Sequence, residues 1–175
     1  WCCLVGSEMC IRDRSFIAPA GFGKVQTSIP FIMKIPGVIE WAMHVLADRF
    51  YGSAISSETT HSNDPLSINE EEFQQLFSFQ MQFKGFRESL ASTMRNFNLF
   101  DAREMFEKVA AKNIPSIAIW GDNDGIVSYK GAETYSEIFQ EGKVITIEDG
   151  THDITYRQPS DVLEAIKIFL ASQIS

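Results

Sequence analysis

Two short loops hold the side chains of this chain best suited to acid–base chemistry. One is Gly121-Asp122-Asn123-Asp124-Gly125-Ile126-Val127, and the other is Asp149-Gly150-Thr151-His152-Asp153. Each follows a short apolar run, Ile117-Ala118-Ile119-Trp120 in the first case and Val144-Ile145-Thr146-Ile147 in the second. An Asp and a His 28 residues apart, each at the end of a strand with a helix between, can meet side by side when the strands are neighbours. A carboxylate beside one imidazole nitrogen leaves the other nitrogen free to act as a general base. Asp124 and His152 are the candidates for that couple, although Asp124 taken alone is equally readable as a turn cap, since Asp before Gly often is one. Asp122 reads as a loop residue that bonds backbone, and Asp149 and Asp153 read as residues that shape the histidine turn. His44 and His61 are assigned no role, because a lone histidine is more often packed or solvated than catalytic. No cluster has metal-ligand spacing and no glycine-rich phosphate loop occurs, so neither metal nor cofactor is expected.

The elements that must carry these loops follow from periodicity. Ser15 to Ala20 is a short apolar run stopped by Gly21-Phe22-Gly23, which predicts a buried strand and a turn. After Pro36-Gly37, the spacing of Val38, Trp41, Ala42, Val45 and Leu46 predicts an amphipathic helix. Ser53 to Asn63 is aperiodic and rich in Ser and Thr, hence a loop. Asn69 with Glu72 has the spacing of a capping box, opening a helix that carries Phe73, Leu76, Phe77, Phe79 and Phe83 and breaks at Gly85. That Phe-rich face reads first as helix core and second as an apolar lid over an acyl pocket. A further helix is predicted from Phe86 to about Phe97. Asp101 with Glu104 repeats the capping spacing before a helix that ends near Lys112. From Asn113 the pattern becomes strand, helix, strand, helix, with helices over Tyr129 to Phe139 and from Pro159 onward. This is the signature of a parallel-sheet α/β layer whose apolar strands are expected to be buried on both faces.

The chain has 175 residues, 45% of them hydrophobic and 22% charged, which suits a globular domain and excludes disorder and a disulfide-stapled miniprotein. Fifteen Lys and Arg against 23 Asp and Glu give a net charge of −8. Such a chain offers no electrostatic footprint for a phosphate backbone, so nucleic acid is not an expected partner. No apolar run approaches the roughly 20 residues needed to cross a bilayer. Residues 1–14 (WCCLVGSEMCIRDR) follow neither helical nor strand periodicity, and they lack the order of a signal peptide. They resemble the translation of a transposon adapter, and are read as a non-native scar. Cys2, Cys3 and Cys10 lie within it and no cysteine follows, so cysteine usage assigns no redox compartment.

The run from Ile117 to Val127, with Asp124 in a Gly-x-x-Asp-x-x-Val pattern, resembles the penultimate core strand and acid loop of the α/β-hydrolase superfamily. The run from Val144 to His152 resembles its last strand and histidine loop. Pro159, seven residues on, and the amphipathic Asp161 to Ala171 fit its closing helix. Phe83-Lys84-Gly85-Phe86-Arg87 through Arg95 is similar to the cap of small esterase-like members. The resemblance implies a partial α/β-hydrolase fold, the last strands of a mostly parallel sheet with an inserted helical cap. It divides the chain into the scar at 1–14, a core strand at 15–24, the cap at 25–112 and the C-terminal core at 113–175. It makes Asp124 the acid and His152 the base of a serine-type carboxylic ester hydrolase acting on a small apolar ester. The family order is Ser, acid, His, with Ser on a Gly-x-Ser-x-Gly elbow. That elbow does not occur in these 175 residues, so it is expected upstream, and the segment alone is expected to be inactive with an apolar sheet edge exposed. An Asp at the elbow implies haloalkane or epoxide chemistry instead. Carbon–carbon bond hydrolysis on the same fold, or a non-catalytic relative that binds through its cap, are the remaining alternatives. Oligomeric state is not legible.

Overall fold

The computed structural model describes residues 13–22, 35, 37–45, 63–96 and 101–173. Residues 1–12 of the segment read above as a scar, residues 53–62 of the stretch read as a loop, and His61 lie outside the described residues, as does the side chain of His44. The chain divides into two compact units. One comprises Trp1–Val25, His61–Ser67 and Phe100–Ser175, and the other comprises Gln26–Thr60 and Ile68–Leu99.

The first unit is built on a parallel sheet of three strands, in the order β1 (Arg14–Ile17), β2 (Ser116–Gly121) and β3 (Lys143–Ile147). Phe16 is in register with Ala118, Ile17 with Ile119, and Gly121 with Ile147. Alternation along a strand sends successive side chains to opposite faces. Ile117 and Ile119 of β2 therefore join Ile147, Ile154, Val162, Ala165 and Phe169 in an aliphatic core on one face. That core is closed by helix α7 (Pro159–Ser172), with Pro159 in its first turn. On the other face Phe16 and Trp120 meet an aromatic cluster from α4 (Arg103–Ala110) and α5 (Gly131–Ile138). Phe22 stacks on Phe106 at 3.9 Å between centroids, and Tyr135 stacks on Phe139 at 4.7 Å.

Only β2 is buried along its whole length. β3 exposes Lys143 and Thr146, because among the described residues it pairs on one side only, and burial on both faces does not extend to it. β1 starts at Arg14, whose guanidinium donates to the Val109 carbonyl at 2.7 Å, and it ends sooner than the sequence predicts. Ala18 has φ 41° and turns the chain, although its N–H still reaches Ile119 O at 2.9 Å.

At Gly21 the chain meets itself again, since the Gly21 carbonyl accepts the Ala102 N–H at 2.9 Å. Helix α4 packs in the sheet unit, where Phe106 belongs to the aromatic cluster. The capping box read from Asp101 and Glu104 does not form. Ala102 occupies the cap position, and Glu104 pairs instead with Lys108 at 2.7 Å, four residues along the helix.

In the second unit α1 (Val38–Val45) packs on α3 (Phe86–Asn96) through Ile39, Leu90 and Ala91, beside an ion pair between Glu40 and Arg95. The box at the start of α2 (Glu70–Gln80) is complete: Asn69 Oδ1 accepts Glu72 N–H at 2.9 Å, and Glu72 Oε2 accepts Asn69 N–H at 3.0 Å. Within α2 Leu76 and Phe79 are exposed, as is Phe83 beyond its end, while Phe73 and Phe77 are half-buried.

Candidate active site

The site is made where β2 and β3 end side by side. Parallel neighbours release their loops at the same edge of the sheet, which is where open α/β sheets gather reactive groups. The two loops are joined by backbone: Asp122 N–H donates to Ile147 O at 3.2 Å, and Asn123 N–H donates to Gly150 O at 3.0 Å. Glycine at both crossing points permits this approach. A Cβ on Gly121 would lie 2.1 Å from the Gly150 carbonyl oxygen, and one on Gly150 would lie 2.8 Å from Gly121 Cα.

Asp124 is brought to His152 by this seam. Its Oδ2 lies 2.9 Å from His152 Nδ1. A carboxylate only accepts, so Nδ1 carries the proton and Nε2 is left as the basic nitrogen. The other oxygen, Oδ1, accepts the backbone N–H of Ile126 at 2.9 Å and of Val127 at 2.7 Å. The Asp124 side chain is fully buried, while the His152 side chain keeps 30% of its surface exposed. A sealed acid behind a ring open to solvent is the arrangement that turns a histidine into an outward-facing base.

The histidine loop is braced from below. Asp149 takes a left-handed turn at φ 53°, and the Asp153 carboxylate accepts the Thr151 hydroxyl and pairs with Arg157 Nε at 2.9 Å. Arg157 lies on α6 (Ile154–Arg157), a short helix the sequence reading does not foresee, anchored by the fully buried Ile154. Gln158 Nε2 closes the loop on Glu148 O at 3.0 Å. The spacing of Asp153 and Arg157, four residues apart, was the available signal for that bridge. A second unforeseen contact is Asp64, whose carboxylate accepts the N–H and the hydroxyl of Ser160 at 2.8 and 2.9 Å. Ninety-six positions separate the two residues, and Asp64 caps α7, whose own cap residue, Gln158, makes no side-chain bond to the helix N-terminus. Ile126 and Tyr156, two residues after Asp124 and four after His152, are exposed. Among the described residues no three His, Cys, Asp or Glu side chains gather as a metal site, and no helix is long and apolar enough to cross a membrane.

The architecture of sheet, helices and loops has close counterparts among solved structures. A bromoperoxidase from Bacillus anthracis superposes with a TM-score of 0.65 over 91% of this chain and 58% of its own, at 19% identity. The chain has a partial α/β-hydrolase fold. A thermophilic esterase from Thermogutta terrifontis shares this fold, with a TM-score of 0.60 over 94% of this chain and 57% of its own, at 15% identity. In sequence, the chain is 25% identical over 162 residues to Lipase 3 of a Moraxella species (strain TA144), covering 81% of this chain and 51% of that protein. No protein-family profile matches. The chain thus spans about half the length of the α/β-hydrolase-fold proteins it resembles.

Proposed function

We propose that this chain supplies the acid and the base of a serine-type hydrolase of carboxylic esters, with Asp124 as acid and His152 as base. The observation that carries the reading is the 2.9 Å contact between a fully buried carboxylate and a partly exposed imidazole at the ends of adjacent parallel strands. In the complete protein His152 Nε2 takes the proton of a serine hydroxyl as its oxygen attacks the ester carbonyl. The imidazolium so formed is stabilised by Asp124 and returns the proton to the leaving alcohol. The same nitrogen then draws a proton from the water that releases the acyl group. General-base help of this kind contributes on the order of 10² to 10⁴ in rate. No Gly-x-Ser-x-Gly elbow occurs in these 175 residues, so the proposal takes the serine and its oxyanion hole from elsewhere in the protein, and the segment by itself should not turn over. The helical unit, Gln26–Thr60 with Ile68–Leu99, is the inserted cap. The substrate is a small apolar ester, a class supported by the names of the lipase and the esterase that resemble the chain.

The test is made in the full-length protein with p-nitrophenyl esters. His152→Ala should abolish turnover while the thermal melt is unchanged, and undiminished activity removes His152 from the reaction. Asp124→Asn, which forces the wrong imidazole tautomer, should cost about 10⁴ in kcat. A loss below about tenfold would move the acid to another residue.

A further inference from the structure

We propose that Trp120 is a positioning residue for the acid: its indole N–H fixes the Val127 carbonyl, and through the Val127 backbone it holds the preceding peptide, whose N–H orients the Asp124 carboxylate. The inference rests on the reading of Asp124 and His152 as the acid–base couple.

The carboxylate plane of an aspartate is not set by its own rotamer. Its last torsion is broad and nearly two-fold, so neighbouring hydrogen bonds decide where each oxygen points. At Asp124 two of those bonds come from its own loop, and the shorter is from Val127 N–H at 2.7 Å. Val127 is gripped at its other polar end as well, where Trp120 Nε1–H donates to its carbonyl at 3.0 Å. The residue therefore has its N–H on the acid and its C=O on the indole. Turning that segment breaks the 2.7 Å bond and leaves Oδ1 held only by the Ile126 N–H at 2.9 Å, and the carboxylate can then rotate Oδ2 away from His152 Nδ1.

The donor is rooted in the sheet and not in the loop it holds. Trp120 belongs to β2, is wholly buried, and meets Phe22 edge-on at 6.2 Å between centroids. Gly131 at the start of α5 clears the space for the ring, since a Cβ there would lie 2.8 Å from Trp120 Cη2. A large ring locked in the core with a single N–H directed at a loop carbonyl provides a fixed reference point that a polar side chain on the loop could not. Phenylalanine would fill much of the same space without the donor, which separates packing from positioning.

The experiment reads the tautomer of His152 in the intact polypeptide, labelled with nitrogen-15 histidine and assigned with His152→Gln. In the unchanged protein the neutral ring should carry its proton on Nδ1, held by Asp124. In Trp120→Phe, with the near-ultraviolet circular dichroism of the aromatic cluster retained, that preference should be lost and Nε2–H should appear. A folded Trp120→Phe protein that keeps the Nδ1–H ring overturns the proposal and leaves the couple intact. A ring without Nδ1–H in the unchanged protein defeats the couple itself, and the proposal with it. Should Trp120→Phe fail to fold, hydrogen exchange of the Trp120 indole in the unchanged protein decides. Protection of more than about a hundredfold over free indole supports the bond, and exchange at the free rate overturns it.

Discussion

Replacing Gly121 with alanine sets a methyl group into the seam between the acid and histidine loops. The new carbon would stand 2.1 Å from Gly150 O, 2.4 Å from its carbonyl carbon and 2.9 Å from its Cα, all of them backbone atoms that no rotamer change can move aside. Real Cβ contacts stop at about 3.0 Å, so the loops must part by roughly 0.9 Å. The bonds Asn123 N–H to Gly150 O at 3.0 Å and Asp122 N–H to Ile147 O at 3.2 Å span that seam, and both are lost or badly stretched. Two net hydrogen bonds together with the cost of overpacking come to about 2–6 kcal/mol. For a domain of this size that lowers the urea midpoint by on the order of 1–2 M. The same displacement carries His152 Nδ1 from 2.9 Å to beyond bonding distance of Asp124. On the proposed reading of the couple, a misplacement near 1 Å costs about 10² in ester turnover. Urea unfolding followed by near-ultraviolet circular dichroism, paired with ester turnover, measures both effects. A Gly121→Ala protein within about 0.5 kcal/mol of the original would refute the close-approach argument, because surface changes away from such contacts typically stay inside that margin.

Tyr135→Phe strips the buried Ser116 hydroxyl of its 2.7 Å partner and should destabilise by about 1–3 kcal/mol in the same unfolding assay; an unchanged midpoint would mean Ser116 finds another partner. Burial raises the Tyr135 phenol to about 12, with the Ser116 hydrogen bond pulling the other way. The unfolded chain therefore gives up that proton first, so stability should decline as pH climbs above about 10, and Tyr135→Phe should flatten the decline. Partial burial raises the Asp64 carboxyl, but hydrogen bonds from Leu66 N–H, Ser160 N–H and the Ser160 hydroxyl outweigh it and hold the group below its ordinary value. Its contribution is accordingly present above the ordinary carboxylate range and lost as pH falls through the lowered one. The urea midpoint of Asp64→Asn should change less between pH 6 and pH 3 than that of the unchanged protein, and parallel curves would contradict the cap.

Local pattern carried most of the elements. Ile117 to Trp120 and Val144 to Ile147 are strands, and Asn69 with Glu72 forms its box, because each depends on neighbours within a few positions. The similar spacing at Asp101 and Glu104 produced no box, since Lys108 competes for the Glu104 carboxylate and the chain there is already held by the bond from Ala102 to Gly21. Aromatic periodicity in α2 matched a helix but not its burial, because periodicity reports a face and not what covers it.

The sequence by itself determined the identities and order of Asp124 and His152 and the strand ends on which they ride, since those are set by residue identity and by the two-residue period of a strand. Only the tertiary structure decided that β2 and β3 are adjacent and parallel, that Gly121 and Gly150 touch, and that Asp124 Oδ2 faces His152 Nδ1. The same is true of Trp120 on Val127 and of Asp64 on Ser160. Each of these turns on a distance between atoms that chain order leaves free, and that distance is set by strand pairing and close packing, which no local pattern of residue types encodes.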